Sequence, residues 1–465
     1  MKTIRRAAVE PRERSLSRWS YYVAVDEVYH ARWTGKQAAR LEIVRQAVKH
    51  LWPKGYPVKL IQVAGTSGKG STCLFIQAGL SEFGKAGCYV KPHVFDYAER
   101  FVVGNNQVGY DEITRTWQRD IRPYCVESAL KLGDWSLDHF EASLLLALKI
   151  FERRRLEWGV IETGMGGRYD PVSALDVVAT VVTNVGQDHE DALGGEHWQR
   201  ALEKGGVCRS GIPLFTADTD PRSVEVLKGL CDDAATRLHV VGPKEVERVE
   251  VVVRGRRGGG GQSLLGSDYQ LRNAALAFDV VSWAVAKADL GDVVDGFLKA
   301  KFVGRFWPVE SGVFADVAHN PSKTQALSED LKSKFPRTKL IFVVGITGNR
   351  DPVAVLGPLM AQAKAVVVTT AGFKGQDPDK VYTRLRDAYP QIPMHLAPNP
   401  RTTLSVAKGL RNRGETILFT GSTYMIDQAL NSDEYLRHLN GTVGWRDVRQ
   451  KQIAGTVSFS IPERS

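Results

Sequence analysis

The chain has 465 residues, of which 43% are apolar and 25% charged, and its formal net charge is +10. That length supports two or three domains with cores of their own, so stability alone explains none of the motifs. No uncharged apolar run reaches the roughly 18 residues of a membrane span. The basic start Met1-Lys2-Thr3-Ile4-Arg5-Arg6 lacks the apolar segment of a secretion signal, so a cytoplasmic protein is expected. The basic residues are dispersed without interleaved aromatics, which points away from nucleic acid and toward a small anionic substrate. Cys73, Cys88, Cys125, Cys208 and Cys231 have no paired spacing and read as reduced thiols.

The apolar run 58–63 predicts a strand, and a helical pattern follows over 72–83. Between them stands Gly65-Thr66-Ser67-Gly68-Lys69-Gly70-Ser71. A strand, a glycine-rich turn and a helix start form a phosphate cradle: backbone N–H groups and the helix dipole face the anion, and a lysine neutralises it. Only Thr66 and Ser67 separate Gly65 from Gly68-Lys69, and Gly70 separates Lys69 from Ser71, a narrower spacing than the general loop. The protein is therefore expected to use ATP.

Further strands are predicted at 158–161, 177–182 and 212–215. Their continuous apolarity, with helical patterns between, means a mostly parallel sheet covered on both faces. Glu162 leaves the first of them at its C-terminal end, followed by Thr163-Gly164-Met165-Gly166-Gly167-Arg168-Tyr169-Asp170. Beside a phosphate loop that makes it the first metal-ligand candidate. Thr183-Asn184-Val185-Gly186-Gln187-Asp188-His189 follows the next strand, and Leu202-Glu203-Lys204-Gly205-Gly206-Val207 comes after it. Taken singly, His189 reads as a packed histidine and Lys204 as a surface charge on a helix. The stretch 238–253 reads as β-rich, with Val249-Glu250-Val251-Val252-Val253 running into a hairpin tip at Arg254-Gly255-Arg256-Arg257 and Gly258 to Gly261. Residues 268–300 read as helical with a break near Gly291. They close a first domain, 1–302, which includes an N-terminal helical extension.

A second alternation begins near Gly304, with strands at 313–317, 340–344, 365–368, 394–396 and 417–419 and helices at 323–335, 378–388 and 403–412. Residues 303–432 thus form a small doubly wound domain. Residues 433–465 are a tail with an appended helix and a loose end. The fold class is α/β: a P-loop ATPase domain with a mostly parallel sheet, then a smaller Rossmann-like domain.

Gly65 to Ser71, Glu162 to Asp170, Asp188-His189, Glu203-Lys204-Gly205-Gly206, Gly304-Arg305-Phe306, Asp316-Val317-Ala318-His319-Asn320-Pro321 and Thr420-Gly421-Ser422 stand in an order and spacing that resembles folylpolyglutamate synthase and dihydrofolate synthase, members of the Mur ligase superfamily. The resemblance implies an ATP-dependent amide ligase. A carboxylate is phosphorylated, and an amine then attacks the acyl phosphate to give an amide, ADP and phosphate. ATP is expected between the two domains. Gly65, Thr66, Ser67, Gly68, Lys69, Gly70 and Ser71 would hold its phosphates, Asn273 would reach the adenine, and Arg305 and Asp316 would reach ATP from the second domain. Ser71, Glu162 and His189 would serve two Mg2+ ions. Lys204 would be carbamylated, which turns an ammonium into a carboxylate-like metal ligand. Lys69, His189, Lys204 and Arg305 form the expected catalytic set, and Gly304 the expected hinge. The implied partners are a small-molecule carboxylate, folate or dihydropteroate, and an amino acid, glutamate; the protein is expected to be a monomer, without nucleic acid or membrane. Two alternatives stay open: a Mur-type ligase acting on a cell-wall or storage-polymer precursor, and a non-catalytic ATP-binding partner subunit.

The chain departs from the family in places. Ser67 stands where Asn is usual. Tyr89-Val90-Lys91-Pro92-His93 stands where Thr-Ser-Pro-His is usual, with that Ser near the first magnesium. A protonated Lys91 cannot bind a cation, so either its ammonium replaces part of the metal's charge or the loop is displaced. Contact of Lys91 with the γ-phosphate or acyl phosphate is the sharper expectation; a solvated loop charge is the plain one. His139-Phe140-Glu141-Ala142 replaces a Thr-Phe-Glu pattern, so His139 lines the acceptor pocket or packs there. With Lys91, His93 and His319 it makes up the substrate-side set.

Overall fold

The computed structural model describes residues 11–29, 37–132, 137–186, 193–256 and 267–442. Eight strands form the first sheet: β1 (Lys59–Ala64), β2 (Ala86–Tyr89), β3 (Phe101–Val103), β4 (Asn106–Gln107), β5 (Trp158–Glu162), β6 (Ala179–Val182), β7 (Leu214–Thr216) and β8 (Leu238–Val240). Their order is β4-β3-β2-β5-β1-β6-β7-β8. Among these strands β3 alone runs against the others. It is reversed after the loop that carries Lys91, and a turn with Gly104 at φ 59° leads into β4.

The strand order changes direction at β1, and ligands of open parallel sheets bind outside such a point. Register fixes what gathers there. Val63 pairs with Glu162, and Ala64 with Val182. Gly65, Glu162 and Thr183 therefore leave the sheet at one edge.

The faces of this sheet are buried by different helices. On one side, Pro11–Tyr29, Gln37–Leu51 and His139–Arg153 contribute Tyr21, Val25, Val44, Leu145 and Phe151 to one apolar cluster. On the other, Lys69–Leu80, Asp268–Ala284 and Leu290–Lys299 contribute Phe75, Leu276 and Phe297 to a second. The expected break in 268–300 falls at 285–289, just before Gly291, which lies inside the following helix.

The β-rich reading of 238–253 is corrected. Only Leu238–Val240 is a strand, and Pro243–Arg256 is a helix. Val249 and Val253 are buried one turn apart with Val246 packed beside them, a helical period. Glu245 also accepts from the Gly242 N–H at 2.9 Å, closing the helix start. The β-branched run obscured this, because valines suit a strand locally while burial follows the helical stripe. Arg254, Gly255 and Arg256 end that helix, so no hairpin tip begins there; Arg257 and Gly258 to Gly261 lie outside the described residues.

The second sheet contains β9 (Trp307–Glu310), β10 (Val313–Ala315), β11 (Leu340–Val344), β12 (Ala363–Val368), β13 (Met394–Leu396) and β14 (Ile417–Thr420), in the order β13-β12-β11-β14-β10-β9. β9 is antiparallel to β10 and the other pairings are parallel. Helices Pro321–Lys334, Pro352–Met360 and Pro378–Ala388 cover one face, and Thr403–Leu410 and Thr423–Leu430 the other. The chain then returns to the first lobe, where helix Glu434–Thr442 packs its Tyr435 against Trp19 and Tyr22.

Candidate active site

The turn after β1 opens the helix Lys69–Leu80, whose N-cap is Gly68 at φ 82°, with no side chain capping it. Uncapped N–H groups at a helix start carry partial positive charge and accept an anion. The turn itself is pinned from β6. Ser67 N–H donates to Asn184 Oδ1 at 3.0 Å, and Thr183 Oγ1 donates to the Ser67 carbonyl at 2.7 Å. Thr66 Oγ1 accepts from the Gly186 N–H at 2.8 Å. Glycine is required at Gly65, at φ 136°, because a Cβ there would collide with Thr183 Oγ1. Lys69 Nζ lies over the mouth of the loop, 3.0 Å from the Gly65 carbonyl. The hydroxyl of Ser67 is buried and has no hydrogen-bond partner among the described residues.

Asn273 closes the other side. Its Oδ1 lies against Gly68, where a Cβ would overlap it, and its Nδ2 donates to Gln270 Oε1 at 3.1 Å. Gln270 in turn donates to Ser71 Oγ at 3.3 Å. Gln270, Thr183 and Asn184 had no separate role in the sequence reading. Their signal, polar residues one turn or a few residues from motif positions, becomes specific only with the fold.

Glu162 is 5% exposed at the end of β5. Its Oε2 is 3.3 Å from the position a Cβ on Gly70 would take, so the carboxylate faces the helix start. Oε2 also accepts the Lys91 backbone N–H at 2.7 Å. Burial pushes this carboxyl above its ordinary value, opposed first by Lys69 and then by the Lys91 N–H, the Lys91 charge and Arg305. Charges from three segments thus converge on one buried acid. Lys91 Nζ itself lies 5.4 Å from the Tyr89 ring centre and 3.4 Å from where a Gly164 Cβ would sit. That is the mouth of the Glu162 loop, and the plain reading of Lys91 as a fully solvated charge does not describe it.

The loop after Glu162 is folded by Asp170, which accepts from Gly164 N–H at 2.8 Å and Val172 N–H at 3.0 Å. Its glycines let helix His197–Gly205 approach, and Arg168 N–H donates to the Glu203 carbonyl at 3.0 Å. Lys204 is 1% exposed, unlike the surface charge expected of it in isolation. His189 lies outside the described residues, as do Gln187 and Asp188. Buried Arg200 bonds the flanks of that segment, with Nε donating to Gly186 O at 3.1 Å and a terminal nitrogen to Gly195 O at 2.6 Å. No sequence signal marked Arg200.

The second lobe faces this edge through Gly304-Arg305. Asp316, 4% exposed, accepts from Phe306 N–H and Ala318 N–H, each at 2.9 Å. It therefore shapes the crossing segment. Burial raises its carboxyl above the ordinary range, and Arg305 opposes this most. The three substrate-side histidines are engaged within the protein. His93 accepts from Arg100 Nε at 2.9 Å, leaving its other nitrogen to donate to Asn440 Oδ1 at 2.8 Å, and burial pushes it down to about 3. His319 donates from Nδ1 to the Val317 carbonyl at 2.8 Å while Nε2 lies 3.2 Å from Lys323 Nζ; burial keeps it neutral. His139 is 8% exposed and packs on Phe140, with ring centres 3.9 Å apart. Phe140, at the start of helix His139–Arg153, and Met165 and Tyr169, in the loop after Glu162, are partly exposed apolar side chains.

Comparison with known proteins agrees with this geometry. Residues 304–423 match the Mur ligase, glutamate ligase domain. The chain is 27% identical over 402 residues to a dihydrofolate synthase/folylpolyglutamate synthase of Bacillus subtilis, covering 80% of this chain and 90% of that one. It is 29% identical over 413 residues to a probable bifunctional folylpolyglutamate synthase/dihydropteroate synthase of Haloferax volcanii, with 83% of this chain aligned; it spans 48% of that longer protein. The folylpolyglutamate synthase of Mycobacterium tuberculosis complexed with ADP has the same fold, with a TM-score of 0.76 over 88% of this chain and 98% of that one at 23% identity. Fold and cleft together define a Mur-type, ATP-dependent ligase. Within that class the chain is similar, along most of its length, to folylpolyglutamate synthases and dihydrofolate synthases.

Proposed function

We propose that the protein joins glutamate to the carboxylate of a folate or dihydropteroate, with ATP supplying the phosphoryl group of an acyl phosphate. The observation that carries this reading is the pairing of an uncapped phosphate-loop helix with a buried carboxylate, Glu162, directed at its first turn. Backbone N–H groups of that turn hold the phosphates, and Lys69 neutralises them. Asn273 and Gln270 border the nucleotide on the first lobe, and Arg305 approaches from the second.

The residues fit a divalent cation. Glu162 is acceptor-only when ionised, accepts the Lys91 N–H, and faces Gly70, the residue before Ser71. Glu162 and Ser71 would hold one Mg2+, and His189 with a carbamylated Lys204 a second. Bound there, the ions would spread the negative charge that develops on the phosphoryl oxygens. The chain's own part is to place three cations, on Lys69, Lys91 and Arg305, around that charge. In a site with little water such interactions are far stronger than in bulk. Exclusion of water also protects the acyl phosphate until the amine attacks, which gives closure of the lobes a chemical purpose. Phe140, Met165 and Tyr169 offer apolar surface to a flat acceptor.

The reading includes a monomer in the cytoplasm; no helix among the described residues is long and apolar enough to cross a membrane. The test is ADP formation with product mass across a panel of dihydropteroate, tetrahydrofolate and other carboxylates, each with glutamate. Glutamylated folate supports the proposal. Turnover only with a cell-wall or polymer precursor moves the substrate, and nucleotide binding without turnover on any acceptor ends the ligase reading.

A further inference from the structure

Helix Glu434–Thr442 follows the second lobe in sequence but is docked on the first. Tyr435 stacks on Tyr22 with ring centres 5.2 Å apart and meets Trp19 edge-on at 5.5 Å. Tyr22 donates to Asp433 Oδ2 at 2.6 Å, and Arg18 pairs with the same carboxylate. These contacts account for the docking. They do not account for Asn440, a polar side chain on the same helix that is only 4% exposed.

Asn440 directs its whole amide at one loop and its support. Nδ2 donates to the Phe95 carbonyl and to Asp427 Oδ1, each at 3.0 Å, and Oδ1 accepts from His93 at 2.8 Å. Asn431, at the end of helix Thr423–Leu430, repeats the contact to the Phe95 carbonyl at 2.9 Å. The loop so held begins at Lys91, whose N–H donates to Glu162. It ends in Val94 and Phe95, which pack into the apolar cluster of the second lobe beside Val317. Five residues therefore connect the buried acid of one lobe to the core of the other, and the tail helix fastens them in the middle.

We propose that Asn440 is a positioning residue for the ligation: it fixes the Lys91–Phe95 loop so that the Lys91 N–H and ammonium hold Glu162 in the geometry that accepts a divalent cation. This rests on the reading of Glu162 as a metal ligand. A buried amide that holds a loop bearing on a metal ligand acts as the hydrogen bonds that orient metal ligands do elsewhere, where loss of the partner weakens metal binding or rate by about 10–100-fold. The Asn440 amide is spent on protein groups, so its signature lies in the metal dependence.

The experiment uses the full chain with Asn440→Ala, and Asn440→Ser should the first variant lack wild-type circular dichroism. Hydrogen exchange of the amides of Lys91 and of residues 93–96 should rise about ten-fold or more. Affinity for Mn2+, in the presence of a non-hydrolysable ATP analogue, should fall by about ten-fold, while the analogue's own metal-free affinity changes less than about two-fold. In the ligase assay the Mg2+ concentration for half-maximal rate should rise in parallel. A folded variant with wild-type exchange at those amides and wild-type Mn2+ affinity overturns the proposal. If the wild-type enzyme forms no ADP with any folate, the substrate reading fails alone, because exchange and Mn2+ binding still decide the role of Asn440.

Discussion

Glu162 concentrates the chemistry at the scale of one residue. Glu162→Gln keeps the shape and an acceptor for Lys91 N–H but removes the charge. Turnover should fall by about 100-fold, with a raised Mg2+ requirement and little change in melting temperature, read from ADP release and thermal melts. Lys204 is the second test. An ammonium this buried needs compensation, and conversion to a carbamate would supply the sign of charge that a cation site wants. Lys204→Ala should cut turnover by about 100-fold with partial recovery on adding formate or acetate; undiminished activity would remove Lys204 from the mechanism. Asp427 gives a pH signature. Burial lifts its carboxyl from 3.8 to about 7, with hydrogen bonds from Asn431 and Asn440 pulling it down. A raised acid contributes stability that is complete below its unfolded value and is lost as pH rises through the folded one. Asp427→Asn keeps Oδ1 for both amides but does not titrate, so its melting temperature should gain on wild type from about pH 4 to about pH 7. A difference that stays constant with pH would assign the shift elsewhere.

Elements differ in how much of them the sequence discloses. The phosphate loop was legible because its geometry is local: Gly65 and Gly68 take positive φ, and strand and helix flank them directly. Gly68→Ala should therefore cost about 1–2 kcal/mol of stability, since an L-residue is strained there, and weaken ATP binding by crowding Asn273. Titration of a fluorescent nucleotide and a denaturant melt would check both. Most strands of the second sheet were equally plain, being short apolar runs between helices. Helix Pro243–Arg256 was not, because its valines favour one structure locally and its burial stripe another. The β3–β4 ribbon is not legible although Gly104-Asn105 marks its turn, since strands of three and two residues have too little pattern to read. Asn440 and Arg200 left no trace at all. Asn440 bonds residues brought near only by the completed fold, Arg200 bonds Gly186 and Gly195 on the two flanks of a loop, and an isolated Asn or Arg on a helix reads as solvated.

At the scale of the molecule, two lobes meet over one cleft, and Gly304 marks the crossing at φ 72°. A Cβ there would come within 2.7 Å of Val94 and 2.8 Å of Val317. Gly304→Val should accordingly wedge the crossing open, lowering turnover by about ten-fold while nucleotide affinity of the isolated first-lobe cradle is retained, as separate measurement of kcat and nucleotide Kd would reveal. The return of the chain has a wider consequence. Since residues on both sides of 304–430 are seated on the same partner, the second lobe is topologically an insert, flanked by host sequence before and after. Grafting such a lobe from a relative would succeed only if the outgoing junction preserved Asn431 and Asn440 as well as the incoming glycine, and a chimera cut at 430 would carry a foreign module with one of its two seams unsewn.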